Sequence, residues 1–198
     1  MTKTVDYHYS LISPWSYLGG PRLDRIAAEA GATVNFKPVD LGEVFPVSGG
    51  LPLGKRAPQR RAYRMMELRR WRDHLGMPLT LEPRHFPTAE RPAALLVVAA
   101  RESDAGAGPL SNAILRAVWA EERDVADSDT LRAICAETGL DGEALMARAG
   151  DDDIARAYAA DTAEAIERGV FGAPSYIYDG ELFWGQDRLE FLERALKR

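Results

Sequence analysis

The two ends of this chain carry an order of β and α signals that few folds accommodate. Val5 to Ile12 is rich in β-forming residues and alternates loosely, which predicts a strand broken by Ser13-Pro14. Leu18, Leu23, Ile26, Ala27 and Ala30 then recur at helical spacing, with Gly31 as a C-terminal stop. Thr33 to Leu41 predicts a second strand. Strand, helix and strand within about forty residues form a βαβ unit, so the two strands are parallel with a right-handed crossover. The far end reads differently. Ser175-Tyr176-Ile177-Tyr178 and Glu181-Leu182-Phe183-Trp184 flank Asp179-Gly180, a strong hairpin turn, and a helix is predicted from Asp187 to Lys197.

Between these ends the period changes to that of helices. Phe45 to Pro58 is expected to be a loop, with Pro46, Gly49, Gly50, Pro52 and Gly54. One amphipathic stripe follows at Tyr63, Met66, Leu68, Trp71 and Leu75. Ala93–Arg101, Leu110–Glu121, Asp129–Thr138 and Ile154–Arg168 supply others. The expected architecture is α/β: a discontinuous βαβ…ββα domain from residues 1–45 and 169–198, with an all-helical lobe inserted at 46–168.

Composition narrows the function. With 198 residues, 46% hydrophobic and 28% charged, the chain can bury a core without disulfides or structural metal. A net charge of −5 speaks against nucleic acid or an anionic membrane as partner. The longest apolar run, Ala93 to Ala100, is too short to span a bilayer, and Met1 to Val5 carries no signal-like segment. A cytoplasmic protein is expected. The single cysteine, Cys135, allows no disulfide, and it falls on the apolar face of a predicted helix. His8 and His74 have no metal-like spacing, and no metal is expected.

Two short motifs can bear a site. Ser13-Pro14-Trp15-Ser16 lies where a strand gives way to a helix, so Ser13 can cap that helix. The same geometry offers free N–H groups and positive partial charge to an anion, including a thiolate. In Val170-Phe171-Gly172-Ala173-Pro174-Ser175 a proline enters a strand. A cis Ala173-Pro174 bond would leave the Ala173 backbone free to pair with an extended, peptide-like ligand. An ordinary helix cap and an ordinary edge proline remain open for the two motifs.

Taken together and in order, several stretches resemble the thioredoxin superfamily, specifically its DsbA-like branch with a helical insertion. They are Ser13 to Leu18, Ala62-Tyr63-Arg64 with Arg70-Trp71, Val170 to Pro174, and Phe183-Trp184-Gly185-Gln186-Asp187-Arg188. Within that branch the chain is most similar to 2-hydroxychromene-2-carboxylate isomerases, and next to kappa-class glutathione transferases. The resemblance implies glutathione as cofactor, with Ser13 as the catalytic contact to its sulfur. It implies that Ala173 and Pro174 present main chain to the tripeptide, and that Trp184, Gly185, Gln186 and Asp187 hold its γ-glutamyl end. It also places a cation for the glycine end at Arg60, and substrate contacts at Lys55 and Phe86. Lys55, Arg56, Arg60, Arg61 and Arg64 form a basic cluster whose ordinary explanation is a solvated helix face. The expected activity is cis-trans isomerisation of an aromatic carboxylate by reversible thiolate addition, in a homodimer. A kappa-like transferase or peroxidase, or a non-catalytic glutathione-binding protein, is the alternative. A dithiol oxidoreductase is excluded, because Ser13 and Ser16 cannot form a disulfide.

Overall fold

A computed structural model describes residues 3–198; Met1 and Thr2, which the expected first domain includes, lie outside the described residues. Strands β1 (Lys3–Tyr9) and β2 (Ala32–Pro38) pair in parallel, with Tyr7 opposite Phe36. Helix α1 (Pro14–Ala30) crosses between them. Strands β3 (Ser175–Tyr178) and β4 (Glu181–Trp184) form the hairpin, and β3 runs antiparallel to β1, giving the sheet order β2-β1-β3-β4. The chain ends meet in one sheet because neither end alone supplies enough strands to bury the face that carries Tyr7, Tyr9 and Tyr176. Those rings stack, Tyr7 on Tyr9 at 4.2 Å and on Tyr176 at 5.2 Å between centroids.

The intervening lobe consists of α2 (Leu41–Ser48), α3 (Pro58–Leu75), α4 (Arg91–Glu102), α5 (Ala107–Trp119), α6 (Ser128–Glu137), α7 (Gly142–Ala149) and α8 (Asp152–Glu167). Ala93, Ala94 and Leu96 to Ala100 of α4 are all buried, so this helix is the lobe's centre rather than a surface element. Apolar packing is continuous from Tyr7 and Tyr9 of the sheet through Leu96 and Trp119 of the lobe. Cys135 is buried on α6 as its spacing predicts, and burial pushes its thiol pKa up. Among the described residues no helix is long and apolar enough to cross a membrane.

Several elements differ from expectation. Strand β1 ends at Tyr9 rather than Ile12, because Ser10 and Leu11 bond to a lobe carboxylate described below instead of a strand. The expected loop at 45–58 is partly helical. Asp40 caps α2 by accepting from the Gly42 N–H at 2.7 Å, and Pro46 lies within that helix. Helix α7 was not anticipated, since its eight residues offer too short a pattern. On α3 only Leu68 is fully buried, while Tyr63 and Met66 are exposed. Arginines dilute the apolar stripe of that helix, which packs against α1, where Arg22 lies over the Trp71 ring. Finally, the last helix begins later than predicted: Gln186–Arg188 is a single 3₁₀ turn, followed by α9 (Leu189–Leu196).

Candidate active site

Ser13 occupies the N-cap of α1 with extended dihedrals, and its Oγ accepts from the Ser16 N–H at 3.3 Å. Its carbonyl accepts from the Tyr17 N–H at 3.1 Å, and its own N–H donates to the Ser10 carbonyl. Pro14 has no N–H to offer. The Trp15 N–H is therefore the one first-turn donor without a partner among the described residues. Cap and anion site are thus compatible. Ser13 is nearly buried at 8% exposure, whereas Ser16 is wholly buried, with its Oγ beside the Tyr7 hydroxyl and neither hydroxyl well hydrogen-bonded. Only the first serine of the motif can face a ligand.

The loop that delivers Ser13 is held from the lobe. Glu90, at the N-cap of α4, accepts through one oxygen from the Ser10 hydroxyl and from the Leu11 N–H, each at 2.8 Å. Burial pushes this carboxyl up to about 7, against the opposing effect of those hydrogen bonds.

Across the sheet, His8 pairs with Ser175, which sets Ala173-Pro174 opposite the end of β1 where the Ser13 loop departs. The Ala173-Pro174 bond is cis, as is Phe86-Pro87. The Ala173 N–H and C=O form no hydrogen bond among the described residues, while the Pro174 carbonyl accepts from the Gly185 N–H at 2.8 Å.

That last bond leads to the third element. Gly185 takes φ +100°, a conformation that side chains rarely adopt, and so turns the chain from β4 into the 3₁₀ turn. Gln186 is buried, and its carbonyl and Oε1 both accept from Arg22 of α1, at 3.2 and 2.9 Å. The Arg22 guanidinium also lies 6.0 Å from the Trp71 ring. Gly19 permits this packing: a Cβ there would stand 2.9 Å from the Tyr176 Oη and 3.0 Å from the Gln186 Cβ. Asp187 does not cap α9. Its half-exposed carboxylate pairs with Arg188 at 2.6 Å and remains open to solvent. Trp184 is 51% exposed and stacks obliquely on Phe171, centroids 4.7 Å apart. A groove of about 630 Å³ between β4 and α9 shares Trp184 and Arg188 with this segment, but neither Ser13 nor Ala173.

The basic residues lie on the segment that leads into α3 and on its first turns. Lys55 ends a 3₁₀ turn at Leu53–Lys55, and Arg60 lies in the first turn of α3; both are exposed and form no ion pair among the described residues. Arg56 donates through Nε to the Leu51 carbonyl. Arg64, one helical turn beyond Arg60, is half-buried, with its guanidinium 5.8 Å from the Phe86 ring and 5.9 Å from the Trp119 ring. Phe86 packs on Trp119 at 4.8 Å. The structure thus joins Ser13, Ala173-Pro174 and Trp184–Asp187 through α1 and the sheet. No hydrogen bond among the described residues ties Lys55 or Arg60 to that group. No local pattern in the sequence marks Arg22 or Glu90, whereas Arg64 stands out through the Ala62-Tyr63-Arg64 stretch and the basic cluster.

Chain order, sheet register and the inserted helices define a DsbA-like thioredoxin fold, and the model of the DSBA-like thioredoxin domain matches residues 4–197. A 2-hydroxychromene-2-carboxylate isomerase from Sphingobium xenophagum is 33% identical over 201 residues, covering 99% of each chain. A solved structure of a 2-hydroxychromene-2-carboxylate isomerase superposes with a TM-score of 0.83 at 28% identity, covering 98% of this chain and 95% of the other. Human glutathione S-transferase kappa 1 is 24% identical over 99% of this chain and 92% of its own. The chain belongs to the 2-hydroxychromene-2-carboxylate isomerase family, within the DsbA-like thioredoxin class.

Proposed function

We propose that this protein is a glutathione-dependent isomerase of 2-hydroxychromene-2-carboxylate or a closely similar aromatic carboxylate, acting in the cytoplasm as a homodimer. The observation that carries the reading is the convergence of three open groups at one end of the sheet. They are the capped start of α1 at Ser13, the unpaired main chain of Ala173, and the solvent-open carboxylate of Asp187. Their chemistry fits glutathione. Asp187 suits an α-ammonium, Ala173 suits an extended peptide, and Ser13 with the Trp15 N–H suits a sulfur anion. Arg60, which forms no ion pair among the described residues, suits a terminal carboxylate, and its planar fork can pair bidentately.

Bound glutathione would supply a nucleophile able to add to a conjugated carbon framework and leave again, so that the former double bond can rotate. The protein's own part is electrostatic and steric. Ser13 Oγ and the Trp15 N–H stabilise negative charge at the helix start. The Ser13 cap holds that donor geometry, and Glu90 fixes the approaching loop. Lys55 and Phe86 border the substrate, the exposed lysine drawing the anion toward the site by long-range charge and the phenyl ring serving as an apolar wall. Calorimetric titration with reduced glutathione tests the reading. Saturable binding that Asp187→Ala weakens supports it, and absence of binding at millimolar glutathione overturns it.

A further inference from the structure

The half-buried arginines of this protein find oxygen partners, with one exception. Arg101 pairs with Asp161 at 2.7 Å, Arg168 with Asp6 and Glu164, Arg123 with Glu137, and Arg22 with Gln186. Arg64 has none among the described residues. Its sole side-chain hydrogen bond is a long one, 3.8 Å, to the Met65 sulfur. Burial, and to a smaller degree the neighbouring Arg56, lower its pKa to about 10, so its surroundings work against the charge they hold. A desolvated cation without an anion is costly, and a pocket that retains one is prepared to receive an anion.

The surroundings also specify what kind of anion. Two aromatic rings, Phe86 and Trp119, flank the guanidinium at cation–π distance. The Trp119 Nε1–H is buried and likewise without a partner among the described residues. Phe86 is the residue already assigned as the apolar wall for the substrate. Arg60 and Arg64 are four residues apart and therefore share one face of α3, so that face offers two cations separated by one helical turn. Glutathione has one carboxylate at its glycine end, and the substrate brings another.

We propose that Arg64 binds the carboxylate of the acceptor substrate, and that its setting between Phe86 and Trp119 selects carboxylates carried on an aromatic framework. Arg60 then serves the glycine end of glutathione. This assignment deepens the proposed function and rests on it for the identity of the substrate. Arg64 is a specificity-determining residue here, and the site's preference for an acid over its neutral counterpart passes through it.

The test uses a conjugated aromatic acid that undergoes no isomerisation of this kind. trans-Cinnamate and its neutral isostere cinnamamide are titrated separately into the full-length protein, with binding followed by NMR. The wild type is expected to bind cinnamate about tenfold or more tightly than cinnamamide, as a charge-assisted pair would give. Arg64→Met should bring the two within about twofold while leaving cinnamamide and glutathione affinities unchanged. Arg64→Lys, which keeps the charge but not the fork, should fall between. An undiminished cinnamate preference in Arg64→Met, or no preference in the wild type, overturns the assignment. Loss of both ligands together in Arg64→Met also overturns it, since that marks a structural role. An Arg64-dependent preference in a protein that does not isomerise the chromene carboxylate leaves this assignment standing and removes the proposed function instead.

Discussion

Around Gln186 an arginine from α1 donates two hydrogen bonds, a glycine of the same helix makes room, and the Pro174 carbonyl anchors the preceding residue. Around Arg60 nothing comparable exists: the side chain is exposed, and its basic neighbours Arg56 and Arg64 have no acidic partner among the described residues. The first region is held by close packing and satisfied polar groups, the second by a helix that presents charge. The difference assigns separate roles to the two regions. Under the proposed function, the packed segment holds its end of glutathione at little ordering cost. Exposed cations without an acidic partner among the described residues attract anions but hold them less rigidly, so Arg60 adds less to the affinity for glutathione than the packed segment does.

The largest effect is expected at the start of α1. Ser13→Ala should lower turnover about 100-fold, the loss typical of a donor removed from a developing anion. Its cost in stability is about 1 kcal/mol, because the cap to the Ser16 N–H is also lost. Ser13→Asp separates the two roles, since aspartate caps well but cannot donate to an anion. Thermal stability close to wild type with turnover as poor as Ser13→Ala is the predicted pair of results.

Next come the two ends of glutathione, which set the regions directly against each other. Asp187→Ala should weaken glutathione binding by about tenfold or more in calorimetry, as expected when a charge-assisted bond is removed. Arg60→Ala, on the exposed helix, should weaken it by only about two- to fivefold, with a stronger salt dependence. The reverse order would show that the charged face, and not the packed segment, holds the cofactor.

Gly19→Ala probes the packing around that segment. The added methyl would meet the Tyr176 Oη and the Gln186 Cβ near 3 Å, so a loss of about 1–3 kcal/mol is expected in denaturant unfolding. Glutathione affinity should fall with it, whereas the cinnamate preference attributed to Arg64 should not.

The smallest effects are on stability against pH. Burial, reinforced by Lys37, holds His8 at about 4, below its ordinary 6.5. Its contribution is present above pH 6.5 and is lost as pH falls toward 4. Glu90 has the opposite sign. Its pKa is raised from 4.5 to about 7, so its contribution is full below pH 4.5 and is lost as pH rises through 7. Glu90→Gln should therefore gain thermal stability relative to wild type between pH 5 and 8, by roughly 2–6 °C in Tm. His8→Phe should instead gain relative to wild type as pH falls from 7 to 4.

Much of this was legible in the sequence, for reasons that vary by residue. The βαβ start and the Asp179-Gly180 hairpin were readable because strand alternation and turn chemistry are local. Ser13 was readable because a cap followed by proline marks a helix start in any context. Helix α2 was hidden because Pro46 and the glycines after it imitate a loop, while Asp40 supplies the cap from five residues before the apparent break. Arg22 and Glu90 were not legible at all. Each acts on a segment 164 or 79–80 residues away in sequence, and no local pattern encodes such a contact. Arg64 lay between these cases. The spacing placed it in a basic row, but only the fold shows that no acidic side chain among the described residues pairs with it and that two rings flank it.

The most direct test of the central claim is isomerisation of 2-hydroxychromene-2-carboxylate by protein freed of small molecules, with reduced glutathione either added or withheld. Saturable turnover that requires glutathione and returns it unconsumed is the expected result. Equal turnover without glutathione, or one glutathione lost for every substrate converted, would contradict it.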